Sequence, residues 1–267
     1  MMFSTFARLI DRLDSQRIKD ADVIPWGSPV PFFGDPSSSK VATLGLNPSN
    51  REFVDNYGKE LVGDERRFHT LKSLDLENWT EIDAKKISKI VDSCVNYFSA
   101  NPYDRWFRRL DAVMAGASAS YYDMFSNACH LDLIPYATSR KWAELSCEQR
   151  LSLLDISGDC LGNMLRETDI RVLVLNGMSV VSLLQTMIDQ PLERIEMPSW
   201  TLSRTKGNDI FGYGYFGVAD SISGVYLDRP IVIAGFNHNI QSSFGVTTAA
   251  IKGIRNWLAD IIEDATT

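Results

Sequence analysis

Apolar residues recur along this chain at two different spacings. Phe3, Phe6, Ala7, Leu9, Ile10 and Leu13 fall at helical spacing and predict an amphipathic first helix. Short apolar runs over 41–46, 171–176 and 231–236 predict buried parallel strands, and a fourth strand is read over 131–134. Helical patterns lie between and after them: Ile82, Ile87, Ile90, Val91, Cys94, Val95 and Phe98; then Leu151, Leu154, Cys160, Leu161 and Leu165; last Ala250, Ile251, Ile254, Trp257, Leu258 and Ile261. Strands alternating with helices predict an α/β fold, a three-layer α/β/α arrangement around a central, mostly parallel four-stranded sheet.

Two stretches interrupt this alternation. The first, about 52–127, is largely helical. The second, about 198–228, carries Gly207-Asn208, Gly212, Gly214, Gly217 and Gly224 among Tyr213, Tyr215, Phe216, Val225 and Tyr226, a glycine-broken β-hairpin. Both are read as insertions at the sheet edge of one domain spanning residues 1–267, because no internal repeat or low-complexity linker marks a boundary. After the first helix, Pro25, Pro29, Pro31 and Pro36 with Gly27 and Gly34 enforce an extended loop rich in apolar residues.

Composition narrows the class. Of 267 residues 45% are hydrophobic and 23% charged, an ordinary globular balance, and no apolar run approaches the length of a membrane span. The first residues lack a secretory pattern, so a cytoplasmic protein with no membrane partner is expected. Cys94, Cys129, Cys147 and Cys160 form no C-x-x-C pair and read as small buried hydrophobes, and neither a metal nor a cofactor is expected. A net charge of −7 disfavours wrapping long duplex nucleic acid, which needs many cations at phosphates. Local basic runs exist at Arg66-Arg67, Arg105 with Arg108-Arg109, and Arg140-Lys141, and such runs are usually solvated faces.

The candidate chemistry sits at strand ends. The strand over 41–46 runs directly into Asn47-Pro48-Ser49-Asn50, where an open α/β sheet presents its ligand crevice. Gly45 permits close backbone approach, Asn47 offers both acceptor and donors, and Pro48 sets the turn. The strand over 231–236 ends likewise in Asn237-His238-Asn239. His238 is one of three histidines and the residue type suited to moving a proton near neutral pH, whereas His69 and His130 read as structural.

Taken in order, Gly45-Leu46-Asn47-Pro48-Ser49, Leu131-Asp132-Leu133-Ile134-Pro135, Val172-Leu173-Val174-Leu175-Asn176-Gly177 and Asn237-His238-Asn239 resemble the uracil-DNA glycosylase superfamily. The first motif is closest to the mismatch-specific and single-strand-selective branches, and the resemblance spans about 41–258. It implies that Asn47 orients or activates a hydrolytic water and that His238 stabilises the departing base anion. It also puts Asp132 where the family has a base-reading Asn. Gly45, Leu46, Pro48, Ser49, Asn237 and Asn239 would line the base site, and Phe32, Phe33 and Phe53 are equal candidates for the stacking ring. Arg51, Arg66 and Arg67 follow the first motif, where phosphate would lie. The implied partner is single-stranded or locally opened DNA, or a nucleotide-like small molecule.

Two departures bear on specificity. Asn239-Ile240 stands where the family commonly has Pro-Ser, and Asp132 replaces Asn. An ionised carboxylate only accepts hydrogen bonds, so the pocket should prefer a donating edge, such as the exocyclic amine of cytosine or a purine-like lesion. Two functions therefore stay open: a hydrolase acting on the N-glycosidic bond of a flipped base, and a non-catalytic module of the same fold that binds a nucleotide, a nucleic acid or a protein. An unrelated α/β hydrolase is a weaker third option, since Gly177-Met178-Ser179-Val180-Val181 lacks the last glycine of a nucleophile elbow.

Overall fold

Strands whose two faces are both covered are mostly apolar, with any buried polar side chain hydrogen-bonded, and the two clearest runs in the chain behave this way. A computed structural model, describing residues 2–101, 104–123, 127–205, 207–241 and 245–266, has these as β2 (Val41–Gly45), buried throughout, and β4 (Val172–Asn176), buried at its first four positions. They pair in parallel, with Val41 opposite Val172. On the other side of β2 lies β3 (Ala128–Asp132), parallel, with Gly45 opposite Asp132. On the other side of β4 lies β7 (Val225–Phe236), parallel over its last residues, with Asn176 opposite Phe236.

The sheet has seven strands, in the order β1-β3-β2-β4-β7-β6-β5, rather than the four expected. The three additions are antiparallel and lie towards the edges: β1 (Phe32–Phe33) on β3, β6 (Tyr213–Ile222) on β7, and β5 (Glu193–Glu196) on β6. The first is two residues long and the last largely exposed, so neither carries a buried-strand pattern. The strand expected at 131–134 is displaced to Ala128–Asp132 because it contains a buried histidine, His130, where an apolar residue would have announced it.

The glycine-broken hairpin is present, but it is not separate from the parallel sheet. Ser223 and Gly224, both at positive φ, join β6 to β7 in a two-residue turn of the primed type. β7 then continues through Pro230, where the pairing with β6 is irregular, and its second half is the fourth parallel strand. This hairpin turn packs closely on α6 (Cys147–Glu167), a helix that starts in a capping box of Ser146 and Gln149. A Cβ on Gly162 of that helix would lie 2.7 Å from Val225 Cβ and 2.8 Å from the Ile222 carbonyl.

The remaining helices follow from their apolar stripes. α1 (Met2–Leu13) buries Phe6, Leu9, Ile10 and Leu13 and packs on α6 and on α3 (Ala84–Val95), which Asp83 caps. α7 (Met178–Gln185) contacts β4 and β7, and α8 (Thr248–Thr266) contacts the same two strands; α2 (Gln16–Asp20) and α4 (Tyr97–Ala100) are short. α5 (Arg105–Met114) is the last α-helix described in the stretch over 52–127, which opens with 3₁₀ turns and becomes α-helical only from Ala84. This stretch is joined to β1 by aromatic packing of Phe68, Tyr97 and Phe107 around Phe33, and to β3 by Phe107 against His130. Cys94, Cys129 and Cys160 are buried free thiols, as expected, while Cys147 is exposed at the start of α6. Among the described residues no helix is long and apolar enough to cross a membrane.

Candidate functional site

Of the parallel strands, the chain leaves β2 to enter β3 on one side, and later leaves β4 to enter β7 on the other. The carboxyl ends of β2 and β4 thus flank a topological switch point, where diverging connections open a crevice. Two adjoining cavities occupy it, of about 380 and about 360 Å³, sharing Gly45, Leu46, Asn47 and Trp106 in their walls. A wider hollow of about 950 Å³ lies elsewhere, between Arg17, Asp20 and the start of α6, but its polar lining is exposed and partly paired, as in the Arg17–Asp155 bridge.

The first cavity is acidic and aromatic. Asp132, at the end of β3, is 3% exposed, and its Oδ1 lies 3.5 Å from Nε2 of His130. Burial holds the Asp132 carboxyl above the usual carboxylate range, with His130 drawing it back. His130 is fixed in turn by a 2.7 Å hydrogen bond between Nδ1 and Thr43 Oγ1, and Thr43 is hydrogen-bonded to the Tyr121 hydroxyl. The rings of Phe33, Trp106 and Phe107 enclose the imidazole at centroid distances of 5.6, 5.3 and 5.1 Å. Gly45 makes room for this pair: a Cβ there would lie 2.4 Å from Asp132 Oδ1 and 2.8 Å from His130 Nε2.

A second acidic group completes the same wall. The 3₁₀ turn Asn50–Glu52, capped by Ser49, folds the chain after Asn47 back so that Glu52 also faces the cavity. Glu52 accepts from the Tyr97 hydroxyl at 3.0 Å and from Arg67 Nη1 at 3.3 Å. The same Arg67 nitrogen donates to Asp104 Oδ2 at 3.3 Å. Burial pushes the Glu52 carboxyl up to about 7, against the pull of Arg67. Asp104 caps α5, its Oδ1 accepting from the backbone N–H of Trp106 at 2.8 Å and of Phe107 at 3.2 Å, and so delivers both rings to the cavity.

Asn47 stands where the two cavities meet. Its Nδ2 donates to Thr138 Oγ1 at 3.1 Å and to the carbonyls of Pro48 and Tyr136 at 3.2 and 3.3 Å. The donor end of the amide is thereby committed, and Oδ1 is the end offered as an acceptor. The second cavity is lined by amides: Asn176, Asn237, Asn239 and Gln241, with Gly177 and the first residues of α7. Asn176 Nδ2 donates to Gln241 Oε1 at 2.8 Å, while Asn176 Oδ1 and Gln241 Nε2 are buried without a hydrogen-bond partner among the described residues. Gly177, at φ +93°, turns the chain from β4 into α7.

The cleft brings together Gly45, Leu46, Asn47, Pro48, Ser49, Arg51, Arg67 and Asp132 in its first cavity, and Asn237 and Asn239 in its second. Of the candidate stacking rings only Phe33 lines it. Phe53 is packed in the core against Trp26 and Phe68, and Phe32 against Phe6. Arg51 donates to the Asp55 carbonyl, Arg66 is exposed away from the lining, and Arg67 is held by Glu52 and Asp104 rather than free for phosphate. His238 lines neither cavity. It is 4% exposed, its Nε2 donates to the Trp200 carbonyl at 2.7 Å, and burial lowers its pKa, which favours the neutral ring. His130, expected to be structural, is buried and hydrogen-bonded to Thr43, and it also lies in the wall of the first cavity. Glu52, Asp104, Trp106 and Phe107 were not anticipated; the one local signal was an Asp immediately ahead of a helix that begins Arg-Trp-Phe.

No protein-family model matches the chain, and no curated protein matches it in sequence.

Proposed function

We propose that this protein hydrolyses an N-glycosidic bond, taking a purine or pyrimidine base into the acidic, aromatic cavity. The observation that carries this reading is Asn47, held by its amide nitrogen at the junction of the two cavities beside a pocket containing Phe33, Trp106 and the buried Asp132. An acceptor fixed at the mouth of such a pocket suits a water that attacks the anomeric carbon, while the aromatic walls suit a base taken out of its stack. The amide-lined second cavity then receives sugar hydroxyls or a phosphate, for which the side chains of Asn237 and Asn239 in its wall are of a type that both donates and accepts. Its substrate is a nucleoside, a nucleotide or a base in single-stranded or locally opened DNA. The reading keeps the resemblance to the uracil-DNA glycosylase superfamily and its three-layer α/β/α arrangement.

His238 enters this reading as a positioning residue, holding the segment from Asn237 to Asn239 against Trp200. The test is release of free base by the wild type, by Asn47→Ala and by Asp132→Asn. Asn47→Ala should lower kcat by about a hundredfold or more, as loss of a group that positions the nucleophile does. Asp132→Asn should move preference towards bases with a donor and an acceptor on one edge, such as uracil. Unchanged release in both variants would contradict the assignment.

A second reading, a binding module without catalysis, is favoured by the same histidine, which donates to a backbone carbonyl instead of facing the cleft. It predicts saturable binding of a nucleoside with no product.

A further inference from the structure

With His238 turned to Trp200, the charge that develops on a departing base has to be met by another group. The groups in the cavity wall able to hold a transferable proton include Glu52, which is 7% exposed. Glu52 and Asp104 share one cation, since a single Arg67 nitrogen lies 3.3 Å from an oxygen of each. In a water-poor site burial and the neighbouring Asp104 charge both raise the cost of ionising Glu52, against the pull of Arg67. Asp104 is committed as the N-cap of α5, accepting two backbone N–H groups. Glu52 has no such helix terminus, and its side chain is the more buried of the two, at 9% against 13% exposed.

We infer that Glu52 is the acid that protonates the base as it leaves, and that the substrates are accordingly bases with a basic ring nitrogen and an exocyclic amine, of the adenine or cytosine kind. This rests on the glycoside-hydrolase reading above. In the step, the bond between the anomeric carbon and the base nitrogen breaks, and its electron pair goes to the base. The Glu52 carboxylic proton passes to a base nitrogen, so the base departs neutral. The Asn47-held water adds its oxygen to the anomeric carbon and loses a proton to solvent, and Glu52 takes one back from solvent. A base whose ring nitrogens are imide-like gains least from a proton donor. Asp132, where ionised, accepts from an exocyclic amine, so the two carboxyls favour the same class. The groups facing Glu52 are Arg67, Asp104 and the Tyr97 hydroxyl, of which Tyr97 stays neutral because burial raises its pKa.

The experiment measures release of adenine, cytosine, uracil and hypoxanthine from nucleosides and from single-stranded oligonucleotides between pH 5 and 9, with wild type and Glu52→Gln. The expected result is at least about tenfold preference for an amino-bearing base and a kcat that falls as pH rises through about 7, where Glu52 gives up its proton. Glu52→Gln should lose that limb and about a hundredfold in kcat, with KM changed by less than about threefold. Preference for uracil, or a Glu52→Gln profile that keeps both the limb and the rate, would overturn the inference. The wild-type profile needs no variant and stands even if Glu52→Gln misfolds. If no base is released from any substrate, the hydrolase reading itself fails. Calorimetric titration of free adenine and cytosine at pH 8 then decides Glu52 separately. Proton uptake on binding that Glu52→Gln lacks supports it as the proton-bearing group, and equal uptake in both proteins overturns it.

Discussion

Gly45 has no room for a side chain, and the reason is chemical rather than conformational. A methyl group there would meet Asp132 Oδ1 at 2.4 Å and His130 Nε2 at 2.8 Å, two groups held by buried contacts on the neighbouring strand. Gly45→Ala should therefore cost about 1–3 kcal/mol in urea unfolding and displace the acid pair, weakening nucleoside binding beyond what the stability loss explains. Unchanged stability with normal binding would mean that the pair moves freely. At this scale the site was half legible. Asn47 and Asp132 lie at or just past strand ends, which local apolar patterning locates. Glu52, Arg67, Asp104 and Tyr97 meet across separations of 7 to 45 residues, so nothing nearby in the chain marks any of them as paired. The place of His130 in the wall is hidden from local sequence for a related reason. Beside Cys129 in an apolar stretch it looks like core, and it is buried, but its neighbours across the sheet and from α5 make it part of a cavity wall.

Elements buried on both faces were readable, as β2 and β4 demonstrate, because a short, largely apolar run rich in valine and leucine has few alternatives to a central parallel strand. The hairpin was readable from Gly224 at its turn. Its continuation past Pro230 into the parallel sheet was not, since proline usually argues against a central strand. One element-level device supports the second cavity. Trp200, at the end of a 3₁₀ turn, is wedged between α8 and the residue before β6: a Cβ on Gly253 would lie 2.5 Å from its Nε1, and one on Gly212 2.4 Å from its Cβ. Its carbonyl accepts from His238. His238→Phe removes that donor and leaves the Trp200 carbonyl buried, so it should destabilise the protein by about 1–3 kcal/mol. Through the displaced Asn237 and Asn239 it should raise KM while leaving the pH dependence of kcat unchanged. A pH limb that disappears with His238 would instead make it the proton donor.

Over the whole molecule, the site's chemistry is linked to stability through Glu52. A carboxyl whose pKa is about 7 in the folded protein, against an ordinary 4.5, binds more protons folded than unfolded between those values. Its contribution is complete below about pH 4.5 and is lost as pH rises through about 7. Urea unfolding at pH 5 and pH 8 should show the wild type losing stability relative to Glu52→Gln, by an amount on the order of 2–3 kcal/mol. Parallel behaviour of the two proteins would mean that Arg67 keeps Glu52 ionised throughout. The net charge of −7 fits the same picture, since a cleft that takes a single base or nucleoside needs few phosphate contacts, and Arg67 is already held within it.

The most direct measurement is chromatographic detection of free base after incubating the wild-type protein with adenosine, cytidine and uridine, their deoxy forms, and single-stranded oligonucleotides, with Asn47→Ala alongside. The account predicts that a base appears, led by adenine or cytosine, and that Asn47→Ala abolishes it while still binding the nucleoside. Saturable nucleoside binding by the wild type with no base released from any substrate would contradict hydrolysis and leave the cleft as a binding site.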